Sequence, residues 1–216
     1  MSKVLFNRII SDLCSYPLFS EFKYRKRDFT LIFKTKELQK SIEFQHWGTF
    51  GYPIFTVYPQ YRVRFNVLHK WFENHSVKPI SIQRDISSVG FDGRMLGHTD
   101  YFHFNENMQN YGREIEHFCR EVIACSEYVF DNYGTLELLY KNKIVPILKG
   151  ESQLPIVGAD WVFIYLKLCR LVAPESYDEF KRLVVNQIEL MHEREEPNIA
   201  LYYDRFPDIF SELEIG

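Results

Sequence analysis

Phe29-Thr30-Leu31-Ile32-Phe33-Lys34, then Ser41-Ile42-Glu43-Phe44-Gln45-His46-Trp47, decide the fold. Both stretches alternate, with Phe29, Leu31 and Phe33 on one side and Ile42, Phe44 and His46 on one side. A period of two is the signature of a half-buried strand. The polar run Thr35 to Lys40 between them turns the chain. Upstream, Phe22-Lys23-Tyr24-Arg25-Lys26-Arg27 alternates too, with cations on its polar side. Downstream, Ile54 to Tyr58 reads as a strand halted by Pro59. Tyr61-Arg62-Val63-Arg64-Phe65 alternates again, with Tyr61, Val63 and Phe65 facing in and the two arginines facing out. Ile80 to Arg84 reads as a short strand and Ser87 to Gly97, with three glycines, as a long loop. Thr99 to Phe104 closes the sheet region.

Helical spacing flanks this region. Leu5, Ile9 and Leu13 share the apolar face of a first helix that Ser2 can cap and that ends before Tyr16-Pro17. Beyond Asn105, a plausible cap, Met108, Tyr111, Ile115, Phe118, Val122, Cys125 and Val129 recur at the period of the longest helix, and Gly134 stops it. A short helix fits Thr135 to Lys141, and Pro146 to Gly158 reads as a loop. Asp160 caps a helix buried along Trp161, Ile164, Tyr165 and Leu168. Pro174 opens another along Phe180, Val184, Ile188 and Met191. A last helical segment ends near Leu213. The expectation is one α+β domain over residues 1–216. Residues 1–104 are mainly an antiparallel sheet with an N-terminal helix, and residues 105–216 supply a helical layer on one sheet face.

Composition narrows the function classes. The chain has 216 residues, is 46% hydrophobic and 17% aromatic, and carries a formal net charge of −3. Neither a strongly basic nucleic-acid binder nor an acidic tail is indicated. Cys14, Cys119, Cys125 and Cys169 lack Cys-x-x-Cys spacing and sit in apolar helical contexts. They read as reduced, buried thiols, and with no signal-peptide pattern or membrane-length apolar run the expected compartment is the cytoplasm.

Three constellations could carry chemistry. His98-Thr99-Asp100-Tyr101-Phe102-His103 offers two imidazoles and a carboxylate, but on a strand His98 and Asp100 face away from His103. A metal-dependent hydrolase or small-molecule site using His98 and Asp100, with His46 across a cleft, is the alternative reading, although neither cofactor nor metal is expected. Second, Glu43, Gln45 and Trp47 lie opposite His46, beside the loop Gly48-Thr49-Phe50-Gly51-Tyr52-Pro53. On an open sheet face they form a polar ledge with an aromatic lip, suited to a peptide or small molecule. The ordinary alternative is cross-strand pairing on a solvated face. Third, Lys23, Arg25, Lys26 and Arg27, with Arg62 and Arg64 nearby, place cations among aromatics. Single-stranded nucleic acid is disfavoured for them by the total charge, and edge protection explains them as well. No phosphate loop or nucleophile elbow occurs.

The run Phe22 to Phe29, then Ile42 to Trp47, then Ile54-Phe55-Thr56-Val57, resembles a bacterial family of unknown function over about residues 15–65. The resemblance implies an α+β fold with no established catalytic site, and some such proteins are suspected immunity proteins for secreted toxins. The expected function is therefore a cytoplasmic, non-enzymatic protein-interaction module, immunity-like. Its partner surface would combine Trp47, Phe50, Tyr52, Arg62 and Arg64, since aromatics and arginines dominate interface energetics. The oligomeric state is left open.

Overall fold

The computed structural model describes residues 3–48, 53–83, 86–105, 107, 109–154, 159–195, 197–200 and 202–215. The chain is α+β, with a six-stranded antiparallel sheet in its N-terminal half and helices mostly in its C-terminal half. It divides into two compact units. The first comprises Met1–Val63 and Val89–Asp131, the second Arg64–Ser88 and Asn132–Gly216.

The first unit holds the sheet. Strands β1 (Lys23–Arg25), β2 (Thr30–Lys34), β3 (Leu38–Gly48), β4 (Ile54–Phe65) and β5 (Val89–Asp92) follow one another in order, and β6 (Phe102–Asn105) pairs with β4. β6 takes residues Ile54 to Val57 of β4, and β5 takes Gln60 to Val63. Pro59 therefore does not halt the strand. It lies between the two stretches that these partners occupy, so its missing N–H costs neither ladder a hydrogen bond. The segment expected as a long loop contains β5 and a 3-10 turn at Arg94–Leu96. Val89 and Phe91 are buried there, an alternation too short to stand out beside three glycines.

One face of the sheet is covered by α1 (Lys3–Cys14) and α4 (Tyr111–Tyr133). Phe6 of α1 meets Phe44 and Phe55 edge-on, at 6.4 and 6.1 Å between ring centroids. Phe118 of α4 does the same to Phe102 at 5.0 Å and Phe104 at 5.9 Å. These offset contacts suit the quadrupoles of the rings. Leu5, Ile9, Leu13, Val122, Cys125 and Val129 complete the layer with no exposure.

The second unit is helical. It contains α2 (Asn66–Phe72), α3 (Ile80–Gln83), α5 (Leu136–Lys143), α6 (Val145–Leu148), α7 (Ala159–Val172), α8 (Tyr177–Glu193), α9 (Pro197–Ala200) and α10 (Phe206–Ile215). Phe72 stacks on Phe163 at 5.6 Å, and Phe163 meets Phe206 at 5.1 Å. The stripe Phe180, Val184, Ile188 and Met191 is buried as its period requires.

Several local expectations are corrected in this unit. Ile80 to Gln83 is a helical turn rather than a strand, because the Gln83 amide N–H returns to the Pro79 carbonyl, leaving Ile80 and Ile82 exposed. The start of the Pro146 loop is the helical turn α6. Asp160 is not a cap: it lies within the first turn of α7, and its buried carboxylate accepts from Tyr202 Oη at 2.6 Å and pairs with Lys78. The helix expected from Thr135 is present, with Thr135 Oγ1 accepting from the Leu138 amide as an N-cap.

Candidate interaction surface

Strand register assembles the second face of the sheet in the first unit. Arg25 of β1 stands opposite Thr30 of β2, Thr30 opposite Glu43 of β3, and Arg62 of β4 opposite Gly90 of β5. Glu43 bridges the β3–β4 step through a 2.8 Å ion pair with Arg62 Nη1. One row therefore runs across the sheet as Arg25, Thr30, Glu43, Arg62, Gly90. The row below holds Gln45 and Gln60, whose side-chain amides meet at 3.3 Å, with Asp92 opposite Gln60. Above, Lys23 stands opposite Ile32, and Ile32 opposite Ser41. Alternate residues of each strand thus form a polar surface because their neighbours are committed to the helix-covered core.

An aromatic cluster closes one end. Tyr58 of β4 stacks on Tyr101, with centroids 5.0 Å apart and planes 18° from parallel. Trp47 meets Tyr101 edge-on at 5.9 Å. Trp47 remains 44% exposed and Tyr101 43%, so two large rings lie together at the surface. Tyr58 is half-buried beneath them and donates to Asp92 Oδ2 at 2.7 Å. Burial, aided by that carboxylate, pushes the Tyr58 hydroxyl up to about 12. It is held as a neutral donor. Asp92 is held in turn, since its Oδ1 accepts from the Met95 amide at 2.8 Å.

The expected partner-binding residues separate in the structure. Trp47 and Arg62 lie on this face, the latter also donating to Gln60 Oε1 at 2.8 Å. Phe50 and Tyr52 lie outside the described residues. Arg64 does not face outward beside Arg62. It belongs to the second unit, is 8% exposed, and donates to the carbonyls of Gln83 at 2.8 Å and Ile86 at 2.5 Å. It also pairs with Glu73 at 3.3 Å. Gln83 and Ile86 supply carbonyls that a cation can satisfy, which alternation in β4 could not foretell. Sequence reasoning missed Tyr58, Gln60, Asp92 and Tyr101. The parity of β4 carries the signal for the first two, once Pro59 is read as internal.

The residues of the alternative polar site are not brought together. His46 lies on the covered face, stacked on Phe6 at 4.8 Å and edge-on to Phe29 at 4.1 Å. His98 Nδ1 instead donates to Glu121 of α4 at 3.1 Å, and the Thr99 amide donates to the same oxygen at 3.3 Å. Burial pushes the Glu121 carboxyl up, but the hydrogen bonds from His98, Thr99 and Arg120 outweigh it and hold the group below its ordinary value. Asp100 faces Arg94 at 4.0 Å. Among the described residues no group of three His, Cys, Asp or Glu side chains is arranged to hold a metal ion.

Other reactive pairs are interior. In the second unit His69 Nε2 is 3.0 Å from Ser88 Oγ, but both residues are buried and Ser88 Oγ already accepts from the Phe65 amide. Burial, with Arg64 nearby, pushes His69 down to about 3, so it stays neutral. Burial likewise raises the thiols of Cys119 and Cys169 to about 12 and of Cys125 to about 11. A thiol held protonated is a poor nucleophile.

The chain matches no protein-family model, no curated protein and no solved structure. Its class is set by its own architecture, an α+β protein whose antiparallel sheet carries helices on one face and a polar, aromatic-ended surface on the other. Among the described residues, no helix is long and apolar enough to cross a membrane.

Proposed function

We propose that this chain is a non-enzymatic interaction module that docks a protein partner on the second face of its sheet. The observation that carries the reading is the exposed pair Trp47 and Tyr101, held on Tyr58 beside the Glu43–Arg62 ion pair. Exposed aromatics ringed by oriented polar groups match the composition of interface hot spots. The rings have neighbours that fix their positions, so little side-chain entropy is lost on docking. The buried thiols favour a reducing, cytoplasmic setting, and an immunity-like role, in which such a surface blocks one toxin, is one form of the module.

Affinity capture from the native cell tests it, comparing the intact chain with Trp47→Ala. Both residues of the aromatic lip are exposed, so this variant keeps its fold. A specific protein recovered by the intact chain and lost with Trp47→Ala supports docking at this face. Equal recovery by both, or turnover of a small molecule that survives the substitution, contradicts it.

A further inference from the structure

We infer that the partner presents an extended segment, lying along the strands, with an aromatic residue on Trp47 and Tyr101 and an acidic residue at Lys23. The inference rests on the proposed docking role of this face and names its occupant.

The face is graded from end to end. Trp47 and Tyr101 mark one end, the paired amides Gln45 and Gln60 follow, then Glu43 with Arg62. Lys23 stands at the far corner, exposed on the edge strand β1, while Arg25 stands two residues nearer, in the row of Glu43. Trp47 and Ser41, the residue in line with Lys23, are six positions apart on β3, and β1 lies two strands away. At about 3.3 Å per residue and about 4.8 Å between strands, the aromatic lip and the cationic corner are about 22 Å apart. An extended chain covers that distance in roughly six or seven residues. Between these ends the floor is shallow, because Thr30 and Ser41 are small and buried.

Charge decides the chemistry of the occupant. Glu43 and Asp92 face the same solvent as Arg62, and Arg25 is already paired with Asp28 at 2.5 Å. A polyanion running between the two ends would meet the Glu43 carboxylate midway and find Arg25 already neutralised, with Asp92 beyond β4 on β5. Nucleic acid is therefore the poorer fit, despite the aromatic rings. A segment with polar, amide-bearing residues in its middle and one acid at its end finds a partner at each step. Because a strand presents every second side chain to one side, the aromatic and the acid must be an even number of residues apart, and the distance sets that number at six.

Fluorescein-labelled seven-residue synthetic peptides test this on the full chain. Each carries Trp at one end and Thr or Gln between, with Glu at spacings of three, four, five or six, in both chain directions. Fluorescence polarisation is expected to show at least five-fold tighter binding at spacing six than at three or five. Trp47→Ala is expected to remove the binding, and Lys23→Glu to weaken it at least five-fold. A peptide ending in Lys instead of Glu is expected to bind the charge-reversed variant better than the intact chain. No dependence on spacing, or no rescue by charge exchange, overturns the inference. So does saturable binding of poly(U) that competes with the peptides and is lost in Trp47→Ala. Should a partner be captured through Trp47 while no spacing preference appears, the docking role stands and the extended occupant fails. Capture that ignores Trp47 removes both.

Discussion

Tyr101 lies flat over Tyr58, ring centroids 5.0 Å apart, although the two residues are far apart in sequence. Tyr101 precedes β6, which pairs with the start of β4 through Val57 and Phe102, so the sheet brings the rings together. The stack both shields the Tyr58 hydroxyl and supports Trp47.

Removing the cover should therefore be visible in the phenol it shields. Tyr101→Ala is expected to bring the Tyr58 titration from about 12 down towards the ordinary tyrosine value near 10, because burial is the main cause of the rise. Asp92→Asn is expected to lower it as well, by removing the acceptor that favours the protonated phenol. Ultraviolet titration of each variant, with Tyr58→Phe as the reference, measures both effects. An unchanged Tyr58 titration in Tyr101→Ala would refute the shielding.

The Glu43–Arg62 pair should contribute little to stability. Both side chains are partly exposed, at 31% and 28%. A double-mutant cycle with Glu43→Gln and Arg62→Gln is expected to give a coupling of about 0.5 kcal/mol, falling with added salt. The role assigned to the pair is partner specificity, so each single substitution should weaken partner binding more than it weakens the fold.

Gly93 should resist substitution. A Cβ built there would lie 2.2 Å from the Thr99 carbonyl oxygen, a backbone atom that cannot swing aside. Gly93→Ala is expected to destabilise the first unit by about 1–3 kcal/mol and to displace the turn that carries His98 to Glu121. Denaturant unfolding measures the first effect. The imidazole chemical shifts of His98 report the second.

His69 gives the second unit a defined response to acid. Its folded value of about 3 lies below the ordinary value of 6.5, with burial the larger cause and Arg64 the lesser. The unfolded chain therefore takes up the proton first. Stability is full above about pH 6.5, declines as pH falls below it, and goes on declining until about pH 3. Between pH 7 and pH 5 this group alone is expected to remove about 2 kcal/mol. His69→Gln should lower stability at pH 7 through the lost packing, yet flatten the pH profile. Chemical denaturation at several pH values separates the two effects, and an unchanged slope would show that the imidazole is not the source.

The strands and helices whose burial alternates or recurs at full strength were legible in the sequence. Phe44 and Ile42 opposite Glu43 and Gln45, and the stripe Phe180 to Met191, follow from period alone. The corrections fall where local rules compete with pairing. Pro59 usually ends strands, but here it sits between two partner strands. Ile80 and Ile82 look like a strand's alternation and are instead exposed residues of one helical turn. Half the ledge was readable, namely Glu43, Gln45, Trp47 and Arg62. Its other half was not, because Tyr101 and Asp92 reach it through long-range register. Arg64 shows the same limit from the other side: alternation put it outward, while carbonyls from a distant segment hold it buried.

The most direct test of the docking face is a photo-crosslinking amino acid placed at Gln45, in the middle of the ledge, and separately at Glu127, on the exposed side of α4. After irradiation in the native cell, one protein species is expected linked from position 45 and none from position 127. Linkage from 127 alone, or the same species from both positions, would contradict it.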